Sequence, residues 1–318
     1  MRVSVIDIGT NTMLMLIGDF DPPSSQILTH LDIQRIPRLG RGVDSNRNIT
    51  DESVAKAVKI LSEYKKLSEE NLSNKITAVA TSFLRDANNK YEFIEKIKKE
   101  TGIDIEILSG EHEARWTFWG CAYDFLDDTN GSTATVIDIG GGSTEITVTP
   151  ALPVNITRET LNKQKIESVS LDIGSVRIKE RFLNRQPSSK EELSEAEKFI
   201  NDNLGEIKCD LSSAVLIGGA GTVTTLAAIH KNLTEYDKDI VDKFILRLDD
   251  IKKMLHSFCK STLDELFKLG SYMEGRTDVI IPGTMTLIRF MEKFGFGEIH
   301  VSAKGLRYGI FLRETVTY

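Results

Sequence analysis

Apolar residues fall along this chain in short runs of strand length and in longer helical stripes, and the arrangement occurs twice. VSVIDI and MLMLIGD flank a Gly-Thr-Asn-Thr bend, and ATVIDI and EITVTP flank a Gly-Gly-Gly-Ser bend. Each copy reads as strand, acidic–glycine turn, strand. Asp7 and Asp138 hold the same place in the two copies, 131 residues apart. That offset is too long for a solenoid repeat and suits a duplicated domain. In the first half, SQILTHLDIQRI predicts a third strand, and Thr50 or Asp51 caps a helix running to about Leu72. KITAVATS predicts a buried strand. ANNKYEFIEKIKKE predicts an amphipathic helix with Tyr91, Ile94 and Ile97 on one face. IDIEILS predicts a strand and EHEARWTFWGCAYDFL a helix, which completes the order βββαβαβα.

The second half predicts a similar order with helical insertions. A third strand lies around KIESVSLDI, followed by helices at SVRIKERFL and KEELSEAEKFINDNL. The strand AVLIGG leads into the helix TVTTLAAIH, and helical patterns cover about Asp249 to Gly270 and TDVIIPGTMTLIRFMEKF. The strand EIHVS and the helix KGLRYGIFLRET finish the chain. These patterns divide it into domains at 1–127 and 128–318, with the final helix, about 304–318, able to pack back on the first. The segment Asp127–Ser132 is the expected hinge.

Composition narrows the class of protein. Apolar residues make up 40% and charged residues 27% of 318, an ordinary globular balance that argues against disorder. No apolar run approaches the ~20 residues of a membrane helix, and the opening segment has no small-residue cleavage site. Net charge is −7, the opposite of a general nucleic-acid binder, so a polyanionic ligand must be held by local donors. Cys121, Cys209 and Cys259 are odd in number and far apart, which excludes a disulfide framework and a CxxC metal site and suits a cytoplasmic protein. His30, His230, His256 and His300 lack metal-ligand spacing.

The candidate chemistry lies at the bends. A glycine-rich turn lets backbone N–H groups converge without Cβ clashes, here at Gly141 and Gly142. Thr10, Thr12, Ser143 and Thr144 add hydroxyl donors and Asn11 an amide. Asp7 and Asp138, at strand ends, suit a hydrated Mg²⁺. The same sequences also suit plain tight hairpins. Asp138 and Glu145 are seven residues apart, and a tight turn brings both carboxylates together. Gly219, Ala220, Gly221 and Thr222 open a helix after a strand, where a phosphate is physically natural. They do not form a dinucleotide fingerprint, and no GxxxxGK[ST] occurs. In SGEHEAR, Ser109 caps a helix and sets Glu111 and Glu113 in its first turn. There they suit the helix dipole, and Glu111 and Arg115 are spaced for an ion pair. Arg85 follows a buried strand. Arg38, Arg41, Arg276 and Arg307 are further cations for a positive lining. Trp116, Phe118 and Trp119 suit interdomain core better than base stacking.

DIGTNT at Asp7–Thr12, TSFLRDA at Thr81–Ala87, SGEHEAR at Ser109–Arg115, DIGGGSTE at Asp138–Glu145, GSVRIKERF at Gly174–Phe182, GGAGT at Gly218–Thr222 and SAKGLRYG at Ser302–Gly309 occur in order. Together they resemble the exopolyphosphatase/guanosine pentaphosphate phosphohydrolase (Ppx/GppA) family. That family sits within the actin, sugar-kinase and heat-shock-chaperone ATPase superfamily. The resemblance covers essentially the whole chain and is to the short, two-domain form. It implies an α/β fold of two ribonuclease H-like domains with an interdomain cleft.

The resemblance also implies roles. Glu113 is the general base for water, Asp138 and Glu145 position Mg²⁺ or the water, and Arg85 contacts substrate phosphate. The metal is Mg²⁺, with Mn²⁺ as a substitute, at Asp138, Glu145 and Asp7. The implied substrates are inorganic polyphosphate and guanosine pentaphosphate or tetraphosphate, with no nucleic acid or membrane partner. The implied activity releases terminal orthophosphate from polyphosphate or the 5′ γ-phosphate from guanosine pentaphosphate, a stringent-response alarmone. Two other readings stay open: a sugar or acid kinase of the same superfamily, and a non-catalytic alarmone- or polyphosphate-binding regulator. Monomer and homodimer are both open.

Overall fold

The computed structural model describes residues 1–126, 133–153, 156–208, 210–211 and 215–316. The expected hinge, Asp127–Ser132, and Cys209 lie outside the described residues. The chain forms two compact units, one of Met1–Tyr123, Pro153–Gln164 and Gly305–Tyr318, the other of Asp124–Leu152 and Lys165–Lys304.

In the first unit, strands β1 (Val3–Ile8), β2 (Met13–Asp21) and β3 (Gln26–Arg35) form an antiparallel meander. The short helix α1 (Val43–Asn46) and the long α2 (Asp51–Glu70) follow, then β4 (Lys75–Ala80), α3 (Ser82–Asp86), α4 (Lys90–Thr101), β5 (Ile105–Ile107) and α5 (Gly110–Ala122). Strands β4 and β5 add parallel to β1, giving the order β3-β2-β1-β4-β5. The elements follow the βββαβαβα chain order that the sequence pattern predicts, and the sheet is of the ribonuclease H-like kind that the family resemblance implies.

Alternation along β1 divides the core. Ile6 and Ile8 face a cluster with Ala57, Leu61 and Tyr64 of α2 and Phe93 and Ile97 of α4. Val3 and Val5 face the opposite side. Thr50 caps α2, its hydroxyl accepting from the Ser53 N–H at 3.2 Å. The face of α4 differs from the predicted one. Phe93 and Ile97 are its buried pair, whereas Tyr91 is 70% exposed. Tyr91 lies six residues before Ile97, a step of about 600° that ends 120° from it, so the two do not share a stripe.

Two later segments complete this unit. Helix α6 (Arg158–Lys163) is tied to α5 by Arg115, which donates to the Leu161 carbonyl rather than pairing with Glu111. Helix α14 (Leu306–Thr315) packs Leu306, Tyr308, Ile310 and Phe311 onto Val3, Val5, Leu16 and Val79, with Trp116 at the edge. Trp116 thus belongs to the first unit's own packing. Glycines bring α5 and α14 together: a Cβ at Gly120 would overlap the Gly305 carbonyl, and one at Gly309 the Trp116 carbonyl.

The second unit repeats the plan. Strands β6 (Ala134–Ile139), β7 (Thr144–Thr149) and β8 (Glu167–Leu171) form the meander. Helices α7 (Ser175–Phe182) and α8 (Lys190–Leu204) lead to β9 (Val215–Gly219) and α9 (Ala220–His230). The remainder is α10 (Lys238–Val241), β10 (Ile245–Arg247), α11 (Leu248–Phe258), α12 (Leu263–Phe267), α13 (Ile280–Phe294) and β11 (Glu298–Val301). The sheet order is β10-β11-β9-β6-β7-β8. Strand β10 pairs antiparallel with β11 as an edge strand the sequence pattern does not predict. The predicted helical stretch after Asp249 is two helices, because Thr262 and Glu265 form a capping box that starts α12. No helix among the described residues is long and apolar enough to cross a membrane.

Candidate active site

The first unit's turn is closed by the Gly9 N–H donating to the Thr12 carbonyl at 2.9 Å. The 38–40 loop holds its outer carbonyls: the Gly40 N–H donates to Thr10 at 2.9 Å and the Arg38 N–H to Asn11 at 3.1 Å. A trans peptide points its N–H opposite to its C=O. With those two carbonyls facing the loop, the N–H groups of Asn11 and Thr12 face away from it. A Cβ at Gly40 would overlap Thr10, so glycine is needed there. Arg38, at φ 57°, thus serves the turn through its backbone. Thr10 bonds to Ser82 through their hydroxyls at 3.1 Å, which fixes it to the start of α3.

Glu113 and Arg85 meet in this unit. Ser109 caps α5, accepting from the His112 N–H at 3.2 Å. Helical rotation then leaves Glu111 and His112 exposed and turns Glu113 inward, 8% exposed. Arg85, in the last turn of α3, donates to Glu113 Oε2 at 3.0 Å and to the Leu108 carbonyl at 2.8 Å. The expected phosphate arginine therefore bonds the expected base directly. Sequence spacing gives no sign of this contact, since 28 residues separate the two.

Asp7 is 9% exposed on the β1 face that meets α14. Burial pushes its carboxyl up to about 7, with the Arg307 charge opposing that rise. Arg307 itself is held by Asp32 through bonds of 2.8 and 3.0 Å, so it braces β3 against α14. Arg41 is exposed.

In the second unit, Asp138 and Glu145 are direct cross-strand partners, so both side chains stand on one face of the β6–β7 hairpin. Glu145 is buried and accepts from the Ser170 hydroxyl at 2.8 Å. The Gly140 N–H closes the turn on the Ser143 carbonyl at 3.0 Å. Gly141, Gly142 and Ser143 form the bend itself. Thr144 is fully buried and donates its hydroxyl proton to the Ile173 carbonyl at 3.0 Å. It therefore fastens β7 inside the unit, where the sequence reading expects a donor to substrate.

The third turn joins β9 to α9. Ala220 has φ 59°, a left-handed conformation uncommon for a residue with a Cβ. It bends the chain between Gly219 and Gly221 into the first turn of α9, and Thr222 is buried against Gly283. The Arg276 guanidinium lies against Gly221, in space that any Cβ there would take. Burial holds Arg276 below the ordinary arginine range.

Among the described residues, no group of three or more His, Cys, Asp or Glu is placed to hold a metal. The Asp138–Glu145 pair does suit Mg²⁺, which is commonly held by one or two carboxylates and completes its shell with water and phosphate oxygens. Burial, which raises the Asp7 carboxyl to about 7, makes Asp7 less suited to a cation than that pair.

Comparison with known proteins identifies the family. Residues 23–317 match the model of the Ppx/GppA phosphatase family. A bifunctional 3-dehydroquinate synthase/phosphatase of Fusobacterium nucleatum is 34% identical over 96% of this chain, which spans only 46% of that longer protein. Exopolyphosphatase 2 of Mycobacterium tuberculosis is 28% identical over 98% of both chains. Among solved structures, the Ppx/GppA family member of Aquifex aeolicus superposes with a TM-score of 0.79 at 30% identity, covering 99% of this chain and 97% of its own. With seven motifs in order, the duplicated sheet and a family match over most of its length, the chain belongs to the Ppx/GppA phosphatase family.

Proposed function

We propose that this chain is an exopolyphosphatase: it releases terminal orthophosphate from linear polyphosphate by water attack, with Glu113 as the base. The observation that carries this reading is the buried Glu113 carboxylate bonded to Arg85, in a chain of a phosphatase family. The Arg85 guanidinium holds the Glu113 carboxylate in a fixed position through a bond of 3.0 Å. Its planar fork also suits phosphoryl oxygens. A base of this kind takes a proton from water as the water attacks phosphorus. Each glycine-rich turn offers backbone N–H groups that suit the charge of a phosphoryl group. Asp138 and Glu145 would hold Mg²⁺, which would supply neutralisation of phosphate charge.

The test is orthophosphate release from long polyphosphate, short polyphosphate and guanosine pentaphosphate, with Mg²⁺ present. Release from polyphosphate is expected. Release from guanosine pentaphosphate alone would move the chain to the nucleotide branch of the activity. Consumption of ATP only with an organic acceptor would replace the reading by a kinase. Tight guanosine tetraphosphate binding without any hydrolysis would replace it by a regulator.

A further inference from the structure

The second phosphate turn has an unusual backing. Three successive carbonyls, of Gly140, Gly141 and Gly142, all face the start of α7. Gly140 accepts from the Ser175 N–H at 2.9 Å and the Ser175 hydroxyl at 3.1 Å. Gly141 accepts from the N–H groups of Val176 at 2.8 Å and Arg177 at 3.2 Å. Gly142 accepts from the Gly174 N–H at 3.3 Å and from Arg177 Nε at 2.8 Å. Each carbonyl has two lone pairs, and each takes two donors.

Two consequences follow. A helix N-terminus is ordinarily an anion site, but α7 gives its first N–H groups to the turn. Helix α7 is therefore the turn's support and not a second phosphate site. The second consequence concerns direction. Because the peptides are trans, three carbonyls aimed at α7 aim the following N–H groups, of Gly141, Gly142 and Ser143, the opposite way. None of these three has an acceptor among the described residues. Successive N–H groups pointing into one space form an anion nest. Donation to each carbonyl also polarises its peptide and strengthens the N–H on the far side.

Among the described residues, Arg177 is the side chain that reaches past the helix backbone to the last of these carbonyls. It is 4% exposed, and its outer nitrogen also donates to Asp172 at 3.3 Å. Gly174 lets α7 come this close, since a Cβ there would overlap Gly141 and Gly142. The first unit's 38–40 loop does the same for Thr10 and Asn11 with backbone donors.

We propose that Arg177 is a positioning residue for phosphate binding: by holding the Gly142 carbonyl it keeps the Ser143 and neighbouring N–H groups turned toward substrate. The step to substrate rests on the exopolyphosphatase reading.

The experiment uses the full chain with tripolyphosphate and Mg²⁺, and amide hydrogen exchange without ligand. Arg177→Met is expected to raise KM about tenfold or more, as befits loss of a charge-assisted hydrogen bond, while kcat changes less than about threefold. Arg177→Lys keeps a donor and is expected to restore most of the loss. Asp172→Asn, which removes only the exposed partner, is expected to leave KM unchanged. In Arg177→Met the amides of Ser175 and Val176 should exchange faster. Should that variant fail to fold, Arg177→Gln, which keeps a neutral donor, is expected to raise KM at least about threefold. An unchanged KM in a folded, active variant overturns the proposal, as does an equal loss in kcat and KM without rescue by lysine. A parent chain inactive on every polyphosphate would instead overturn the functional reading. The exchange of the Ser175 and Val176 amides would still decide whether Arg177 holds the turn.

Discussion

Replacing Glu113 by glutamine is expected to lower kcat on polyphosphate by about 10²- to 10⁴-fold, the usual worth of a positioned general base, with KM within about threefold. The substitution is nearly isosteric. Its amide oxygen can still accept from Arg85, which also stays anchored on the Leu108 carbonyl 2.8 Å away. Packing around the first turn of α5 is therefore retained, and what is lost is the ability to take a proton. A loss confined to kcat marks an interaction used only in the transition state. Steady-state phosphate release at saturating substrate, with circular dichroism to confirm the fold, checks this. Turnover equal to the parent's would remove Glu113 from the mechanism.

The second large effect concerns Asp7 and is one of stability. Its carboxyl has an ordinary value of 3.8 and is raised to about 7 by burial. Between these values the folded chain holds a proton that the unfolded chain has released. Its contribution to stability is full below pH 3.8 and is lost as pH rises through 7. The upper bound on that loss is ~4 kcal/mol, from 1.36 kcal/mol per pKa unit. An asparagine side chain cannot ionise, so Asp7→Asn is expected to match the parent near pH 4 and to gain on it progressively up to pH 8. Urea unfolding at several pH values, with chelator present so that no cation replaces the proton, measures the gap. Parallel pH curves for the two proteins would contradict the account.

The fold is legible in the sequence to the extent that it depends on local pattern. The two acidic–glycine bends between strands, the alternation of VSVIDI and ATVIDI, and Thr50 and Ser109 as caps predict elements that the structure contains. Features set by distant partners are not legible. Strand β10 has three residues and exists because β11 offers it an edge. Tyr91 carries an aromatic ring at the start of a helical stripe, yet the helix turns it to solvent and buries Phe93.

The candidate site divides in the same way. The bends, Asp138 opposite Glu145, and Glu113 in a first helical turn are visible as motifs. Which hydroxyl faces inward is not: Thr144 looks like a substrate donor until the Ile173 carbonyl is found beside it. The Arg85–Glu113 bond and the capture of the 140–142 carbonyls by α7 join segments about 28 and 35 residues apart in the chain, beyond any periodicity. One signal was present. Leu39-Gly40 and Ile173-Gly174 each follow the third strand of their half, and in both units that glycine lies against the turn between the first two strands.

Hydrolysis in ¹⁸O-enriched water tests the central claim most directly. In the proposed reaction the water oxygen bonds to the terminal phosphorus, the bridging P–O bond breaks toward the shortened chain, and the water proton passes to Glu113. Each orthophosphate released in a single turnover is expected to carry one ¹⁸O, with none in the remaining polyphosphate. Label in the newly exposed end of the chain, or unlabelled phosphate delivered to an organic acceptor, would contradict water attack at the terminal phosphate.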